Sequence, residues 1–391
     1  MSFTLSQRSI CTRCLHSTQR HRKVRQLSTQ SIPPSPPPPP PATGAAKLSN
    51  RRLVSLHGPD APKFLQGIIT NSVSVDRTAG NGFFAAFLTA QGKVLNDVFI
   101  YPTIGSRWQK DHHDDGDQGF LVEVDSEQAE LLFKHLKRHK LRSKFKLRQL
   151  EVEELDVWSV WREDDRWTQH THARSNNEIL SLQDCRAPGM GQRLLLPPTT
   201  SSPELDGVQE APLAAYTIRR YLRGIAEGQS EIPREESLPM NYNFDLMGGI
   251  DFKKGCYIGQ ELTIRTHHTG VVRRRVLPVS LYDAASQPPT EPIYDPQSTA
   301  HAAEGNTDIK KASSKKRATG KLIASVGNVG LALCRLEQMS DLVVTSEGNS
   351  FDPAEKFVVE AQDGQVTGIQ PFVPDWVRGR IREPRVQRRV E

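Results

Sequence analysis

No Asp or Glu precedes Asp60 in this chain of 391 residues. The same stretch carries Arg8, Arg13, Arg20, Arg22, Lys23 and Arg25 among many Ser and Thr. An acid-free, Arg- and Ser-rich start has the composition of a mitochondrial transit peptide. Arg25-Gln26-Leu27-Ser28 fits a matrix-processing site, so residues 1–27 are expected to be removed and the remainder to reside in the mitochondrial matrix. Long hydrophobic runs are also missing. No stretch of about 18 apolar residues occurs, so no membrane span is expected. Cysteine is scarce and odd in number, five in all, with no regular disulfide spacing, which speaks against a disulfide-stapled secreted scaffold. Cys11 and Cys14 fall in the presumed presequence. Cys185, Cys256 and Cys334 remain, and a reducing matrix suits three thiols. Formal net charge is +6, and the six cations of the presequence account for it. The charge is then mostly an address, and a nucleic-acid partner is not expected. No internal repeat is present.

The length allows two or three compact units. Pro33 to Pro41 form a proline-rich run, so residues 28–47 read as a stiff, extended linker. A body is expected from about Leu48. Arg52 to Leu56 read as a strand. Asp60 looks like an N-cap with Pro62 in the first turn, and Phe64, Leu65, Ile68 and Ile69 share a helical face. Gly82 to Leu88 and Val94 to Tyr101 read as strands of a hairpin turned at Gln91-Gly92. Alternation puts Asp97 among Leu95, Phe99 and Tyr101. A carboxylate in such company is either hydrogen-bonded for structure or functional, and the structural reading is preferred.

Trp108 to Gly119 is rich in His and Asp and reads as a solvated loop. Phe120 to Val124 is a strand, and Ser126 can cap a helix running to about His139. Lys144 to Leu150 and Leu155 to Trp161 are further strands, and Arg162 to Asn177 a surface insertion. Pro212 to Arg223 reads as a helix with Ala215, Ile218 and Leu222 on one face, and Arg219, Arg220 and Arg223 adding positive charge. A strand-rich unit follows from Val271 to the end, interrupted at 283–318 by Pro, Ser, Thr and Lys that point to a disordered insertion. Strands resume at Gly320 to Ser325, Val329 to Cys334 and Phe357 to Glu360. The Arg-rich end, Arg378 to Arg389, reads as a flexible tail. Consecutive strands mixed with helices indicate an α+β fold.

The chemistry concentrates in Lys253-Lys254-Gly255-Cys256-Tyr257-Ile258-Gly259-Gln260-Glu261. Two glycines around one cysteine permit a tight backbone path. Nearby lysines favour the thiolate, which is the nucleophile and the metal ligand. The alternative is a half-buried thiol in a glycine turn. Beyond the motif, His267 and His268 are either metal ligands or polar surface beside Arg265.

This motif resembles the K-G-C-Y-x-G-Q-E signature of YgfZ-type proteins, relatives of the glycine-cleavage aminomethyltransferase (T-protein). Leu246 to Phe252 before it, Leu56 to Ala61 with Phe64 to Gly67, and Leu88 to Lys93 are similar to the same family. Arg265 to Arg274 resemble its mitochondrial branch, the iron–sulfur cluster assembly factors of the Iba57 type. The resemblance implies a T-protein/YgfZ-like α+β body over residues 48–270 and a C-terminal antiparallel β-barrel over 271–391. It implies Cys256 as the functional thiol, set among Lys254, Gly255, Tyr257, Gly259, Gln260, Glu261 and Arg265, with His268 a further candidate metal ligand. It also implies a transient iron–sulfur cluster shared with an A-type, Isa-like scaffold protein and passed to [4Fe-4S] enzymes such as aconitase and lipoyl synthase. Thiolates are preferred ligands of such clusters, and one cysteine per chain can only complete a partner's set.

The family fold also implies a central cavity for tetrahydrofolate, as in the aminomethyltransferases, where a carboxylate in the β-hairpin resembles the catalytic one. There the R-x-E-x-G pattern supplies a pterin-binding Glu. With Gly224 on its Gly, Arg220 takes the Arg position and Leu222 stands on the Glu. Glu227 lies five residues past Leu222 and reaches that position only with a shift of register. Folate binding and catalysis are therefore not expected, and an assembly factor is expected before a transferase.

Overall fold

The computed structural model describes residues 36–381, apart from 74–81, 113–117, 164–179, 199–207, 301–302, 315–316, 347 and 361–363. The expected presequence with its processing site and most of the insertion after Arg162 lie outside the described residues. So does the tail from residue 382 on.

The chain enters through β1 (Thr43–Lys47) and β2 (Arg51–His57). Helix α1 (Ala61–Ile68) leads to the hairpin β3 (Phe83–Leu88) and β4 (Val94–Pro102). Then come α2 (Arg107–His112), β5 (Gly119–Asp125), α3 (Ala129–Lys140) and β6 (Lys146–Gln149). Strands β7 (Asp156–Arg162), β8 (Leu180–Gln183), β9 (Gln192–Leu196) and the short β10 (Gln209–Glu210) precede α4 (Leu213–Leu222). One five-stranded sheet has the order β3-β4-β5-β2-β6 and a second the order β10-β1-β7-β9-β8. Apolar residues of α1 and α3, among them Phe64, Leu65, Leu132 and Leu136, pack on Val54, Leu56, Val98, Ile100 and Val122 of the first sheet. Each such side chain contributes about 1.5–3 kcal/mol by leaving water.

After α4 the chain makes a 3-10 turn at Pro239–Tyr242 and the helix α5 (Gln260–Thr269). It then closes a barrel from β11 (Arg274–Asp283), β12 (Asp308–Lys311), β13 (Ala318–Val326), β14 (Val329–Arg335), β15 (Phe357–Glu360) and β16 (Val366–Pro371). Its order is β11-β14-β13-β12-β15-β16, antiparallel throughout. Two short helices are α6 (Leu336–Met339), which packs on β13 and β14, and α7 (Asp375–Arg378), whose Trp376 indole N–H donates to the Arg223 carbonyl at 3.1 Å.

Several expectations need correction. The 283–318 stretch is not simply a disordered insertion, because it supplies β12, whose Ile309 is fully buried and seals the barrel between β13 and β15. The linker ends earlier than residue 47. Ala45 and Ala46 are buried in β1, and the Trp161 indole N–H donates to the Pro41 carbonyl at 2.9 Å. Trp108 to His112 belong to a helix rather than a loop, because Trp108 is buried and stacks on His112 at 4.7 Å. Asp60 makes no capping bond; its carboxylate accepts the Lys144 N–H at 2.6 Å. Asp125 rather than Ser126 caps the turn before α3, accepting from the Glu127 N–H at 2.9 Å. Arg219 and Arg220 of α4 are buried, answered by Glu163 and Glu231. Arg378 pairs with Asp341 at 2.8 Å.

Candidate functional site

The cysteine loop hangs on backbone atoms that lie far away in sequence. The Lys254 ammonium donates to the carbonyls of Ile69 at 2.7 Å and Asn71 at 2.9 Å, in the segment after α1. It also lies over the Tyr257 ring, 4.9 Å from its centroid. Burial lowers its pKa to about 8, against the pull of Asp251. Lys254 is thus an anchor of the loop. The Ile258 N–H donates to Gly67 at 3.1 Å and the Asp251 N–H to Thr70 at 3.0 Å. Thr70 and Asn71 bond in turn to the carbonyls of Gly249 and Gly248. Asn71 also reaches the Phe84 carbonyl on the hairpin. Sequence reading missed Thr70 and Asn71, whose only signal is a polar pair directly after the apolar end of α1.

The two glycines of the motif differ. Gly259 has φ +82°, and a Cβ there would lie 2.3 Å from the Thr89 carbonyl and 2.9 Å from the Leu88 Cβ. Only glycine fits such a crossing of loop and hairpin. Gly92, at the hairpin turn, answers with φ +80° and a Cβ position 3.0 Å from the Gly259 carbonyl. Gly255 faces open space, so the expectation that it is sterically required is corrected.

Between these anchors Cys256 is exposed. Tyr257 points inward, and burial pushes its phenol up to about 12 while the Thr263 hydroxyl pulls it down. The Gln260 side chain accepts the Tyr257 N–H at 3.3 Å and opens α5. Glu261, Arg265 and His268 of α5 are exposed. The His267 ring stacks on Phe252, 3.5 Å between centroids, and meets His268 edge-on at 5.1 Å. The loop therefore presents one thiol at the surface on a backbone fixed from beneath. Among the described residues no three His, Cys, Asp or Glu gather as a metal site, so His268 and Cys256 form no such set with a third residue.

The other thiols differ in setting. Cys334 is buried in β14, and burial raises its pKa far above the usual range. Cys185 is exposed and lies within electrostatic reach of Arg380.

Asp97 belongs to a different construction. It pairs with Arg51 at 3.4 Å and accepts from the Gly228 N–H and the Gln229 amide, both at 3.2 Å. Arg51 also holds Glu123, which accepts from the Tyr101 hydroxyl at 2.7 Å. Arg193 of β9 ties Glu123 to Glu227 and reaches Asp184 at 3.5 Å. Arg186 joins Asp184 and Glu227 at 2.7 and 2.8 Å. All seven side chains have zero exposure and bridge the two sheets.

Comparison with known proteins identifies the family and the fold. The family described as CAF17, C-terminal beta-barrel domain, matches residues 273–379. The mitochondrial iron-sulfur cluster assembly factor IBA57 homolog of Coccidioides immitis is 43% identical over 399 residues, covering 95% of this chain and 92% of that protein. The homolog of Aspergillus fumigatus is 41% identical, covering 97% and 92%. That of Pyricularia oryzae is 45% identical, covering 86% and 85%. The chain belongs to the IBA57 family of mitochondrial iron–sulfur cluster assembly factors. The fold of this IBA57 relative is also that of the glycine cleavage system aminomethyltransferase T from Bartonella henselae, with a TM-score of 0.58 at 12% identity over 86% of each chain. At that identity the likeness concerns fold alone.

Proposed function

We propose that the chain works in the mitochondrial matrix as a cluster-transfer partner, with Cys256 as the thiolate that completes the ligand set of an iron–sulfur cluster. The cluster is cargo, held mostly by an A-type, Isa-like scaffold and passed on to [4Fe-4S] enzymes such as aconitase and lipoyl synthase. The observation that carries the reading is the exposed thiol on a loop pinned from below by Lys254 and Gly259. The step is a ligand exchange. The Cys256 proton goes to solvent, a sulfur–iron bond forms, and one scaffold ligand leaves, with no change of oxidation state. Arg265, exposed on α5, meets an acidic partner surface and steers encounter. Anaerobic mixing of the protein with an A-type scaffold, iron and sulfide tests this. A visible chromophore requiring both proteins is expected; a spectrum identical to the scaffold alone contradicts the reading.

In the same reading the chain is a carrier rather than a folate-dependent transferase. Leu222 offers no acceptor to a pterin, and Glu227 is buried with its Oε2 committed to Arg186, Arg193 and the Tyr216 hydroxyl. Its Oε1 is enclosed, without a hydrogen-bond partner among the described residues. A cavity of about 170 Å³ lies beside the β1–β2 turn and does not include Glu227 in its lining. A pterin donor left unpaired costs about 1–3 kcal/mol. Calorimetric titration is expected to show no micromolar tetrahydrofolate binding, and Leu222→Glu to strengthen what binding there is. Micromolar affinity in the unmodified protein contradicts it.

A further inference from the structure

The outer side of α3 carries charge that the fold does not answer. Between Ala129 and Arg148 the chain holds eight Lys and Arg and one acid, Glu130. Helix α3 turns Ala129, Leu132 and Leu136 inward. Leu131, Lys134, Lys137 and Arg138 then share an arc of about 120° on the opposite side. Some cations are used locally. Lys134 pairs with Glu130 at 3.1 Å, Lys140 lies 5.1 Å over Phe145, and Arg148 pairs with Glu154. Arg138 faces His135 as a like charge, and His135 is held near a pKa of about 4 by burial first and by His139, Arg234 and Arg138 next. Lys137, Arg138, Arg142, Lys144 and Lys146 are exposed and form no ion pair among the described residues. Asp60 meets Lys144 through its backbone N–H and not through the ammonium.

Two leucines stand in this field. Leu131 is 45% exposed and Leu141 is 87% exposed. Leu141 follows the last turn of α3 with φ 46°, a conformation that residues other than glycine seldom take. The chain thus holds a bare aliphatic side chain at the tip of a basic face. Cations alone would suit an acidic protein surface. Cations around a projecting leucine suit a surface that is anionic outside and apolar beneath.

We propose that α3 and the turn after it dock the protein on an anionic phospholipid bilayer, the cations meeting lipid phosphates and Leu141 entering the headgroup layer. No helix among the described residues is long and apolar enough to cross a membrane, so the contact is peripheral. The proposal shares no residue with the cysteine loop and stands independently of the cluster role.

Vesicle sedimentation of the processed chain, from Ser28 on and so without the basic presequence, tests it, with phosphatidylcholine vesicles against phosphatidylcholine mixed with phosphatidylglycerol. Binding to the anionic vesicles alone is expected, weakening as salt rises. The variant Lys137→Glu/Arg138→Glu/Lys144→Glu should lower the partition coefficient roughly a hundredfold or more. Leu141→Ser should lower it about tenfold even at low salt. Both variants replace exposed side chains, and unchanged thermal unfolding confirms that they remain folded. A parallel arm uses polyglutamate beads. Capture on the beads with no loss on Leu141→Ser in either arm would assign the face to an acidic protein and overturn the membrane proposal. Absence of binding to the anionic vesicles, or equal binding to both kinds, overturns it as well.

Discussion

Arg193 and Arg265 are held under opposite conditions. Arg193 has zero exposure and its guanidinium is divided among Glu123, Asp184 and Glu227. Arg265, on the helix that follows Cys256, faces solvent. The same contrast runs through their surroundings. The centre joins the two sheets through charges enclosed with one another and with a few neutral donors such as the Tyr101 hydroxyl, while the rim shows an exposed thiol and exposed cations on a loop and helix held by backbone bonds. Buried charges of this kind make a protein intolerant of losing one partner. Exposed ones change stability little when they are removed. Fold and chemistry are therefore separable by single substitutions, and the centre and the rim should respond differently to each.

The largest effect is expected at the centre. Arg193→Met leaves Glu123 and Glu227 short of a counter-charge and should cost about 3–5 kcal/mol in urea unfolding. A loss below about 1 kcal/mol would break the contrast, since that is a surface-scale effect. Acid should act on the same network. Burial favours the neutral form of Glu227, yet Arg193 and Arg186 hold its pKa well below the usual carboxylate range. Asp184 is likewise lowered, burial opposing and Arg186 and Arg193 prevailing. A depressed folded pKa gives stability that is fully present above the unfolded value, about 4, and is lost as pH falls through the folded one. Unfolding free energy from these two groups should be level above about pH 5 and fall below about pH 4. A decline that begins near neutrality would point to another group.

At the rim the effects are smaller and local. Gly259→Ala must relieve a Cβ placed 2.3 Å from the Thr89 carbonyl at φ +82°, and should cost about 1–3 kcal/mol. Gly255→Ala meets open space and should stay within about 0.5 kcal/mol. Equal costs at the two glycines would remove the hairpin crossing from the account. Smallest of all in stability is the thiol itself. Cys256→Ser should change unfolding free energy by less than about 1 kcal/mol. Iodoacetamide on the native protein should modify Cys256 and spare the buried Cys334, which mass spectrometry of the digested protein reads directly.

The hairpin of β3 and β4 was legible because alternation and a Gln-Gly turn are local signals. The apolar face of α1 was legible for the same reason. The cysteine loop was legible through its residue types. Its anchoring was not, because the partners of Lys254 are backbone carbonyls 183 and 185 residues away. A carbonyl has no sequence signature. β12 was hidden in a stretch of Pro, Ser, Thr and Lys where Ile309 alone is deeply buried in the strand. Arg219 and Arg220 read as surface charge, since Glu163 and Glu231 stand 56 and 11 positions away and nothing local announces them. The ion network has the same character. Asp97 was marked by its apolar neighbours and read as structural, which its bonds to Arg51, Gly228 and Gln229 agree with; the other members look ordinary alone, and only the contact of β5 with β9 makes them one unit.

The central claim is that the exposed thiol does the work and the rest of the loop holds it. Cells lacking their own copy of the protein, supplied with Cys256→Ser, test this most directly, with aconitase activity in isolated mitochondria as the readout. The account predicts aconitase without its cluster while the variant accumulates at normal level, and full activity with Cys334→Ser and Cys185→Ser. Normal aconitase maturation with Cys256→Ser would contradict it.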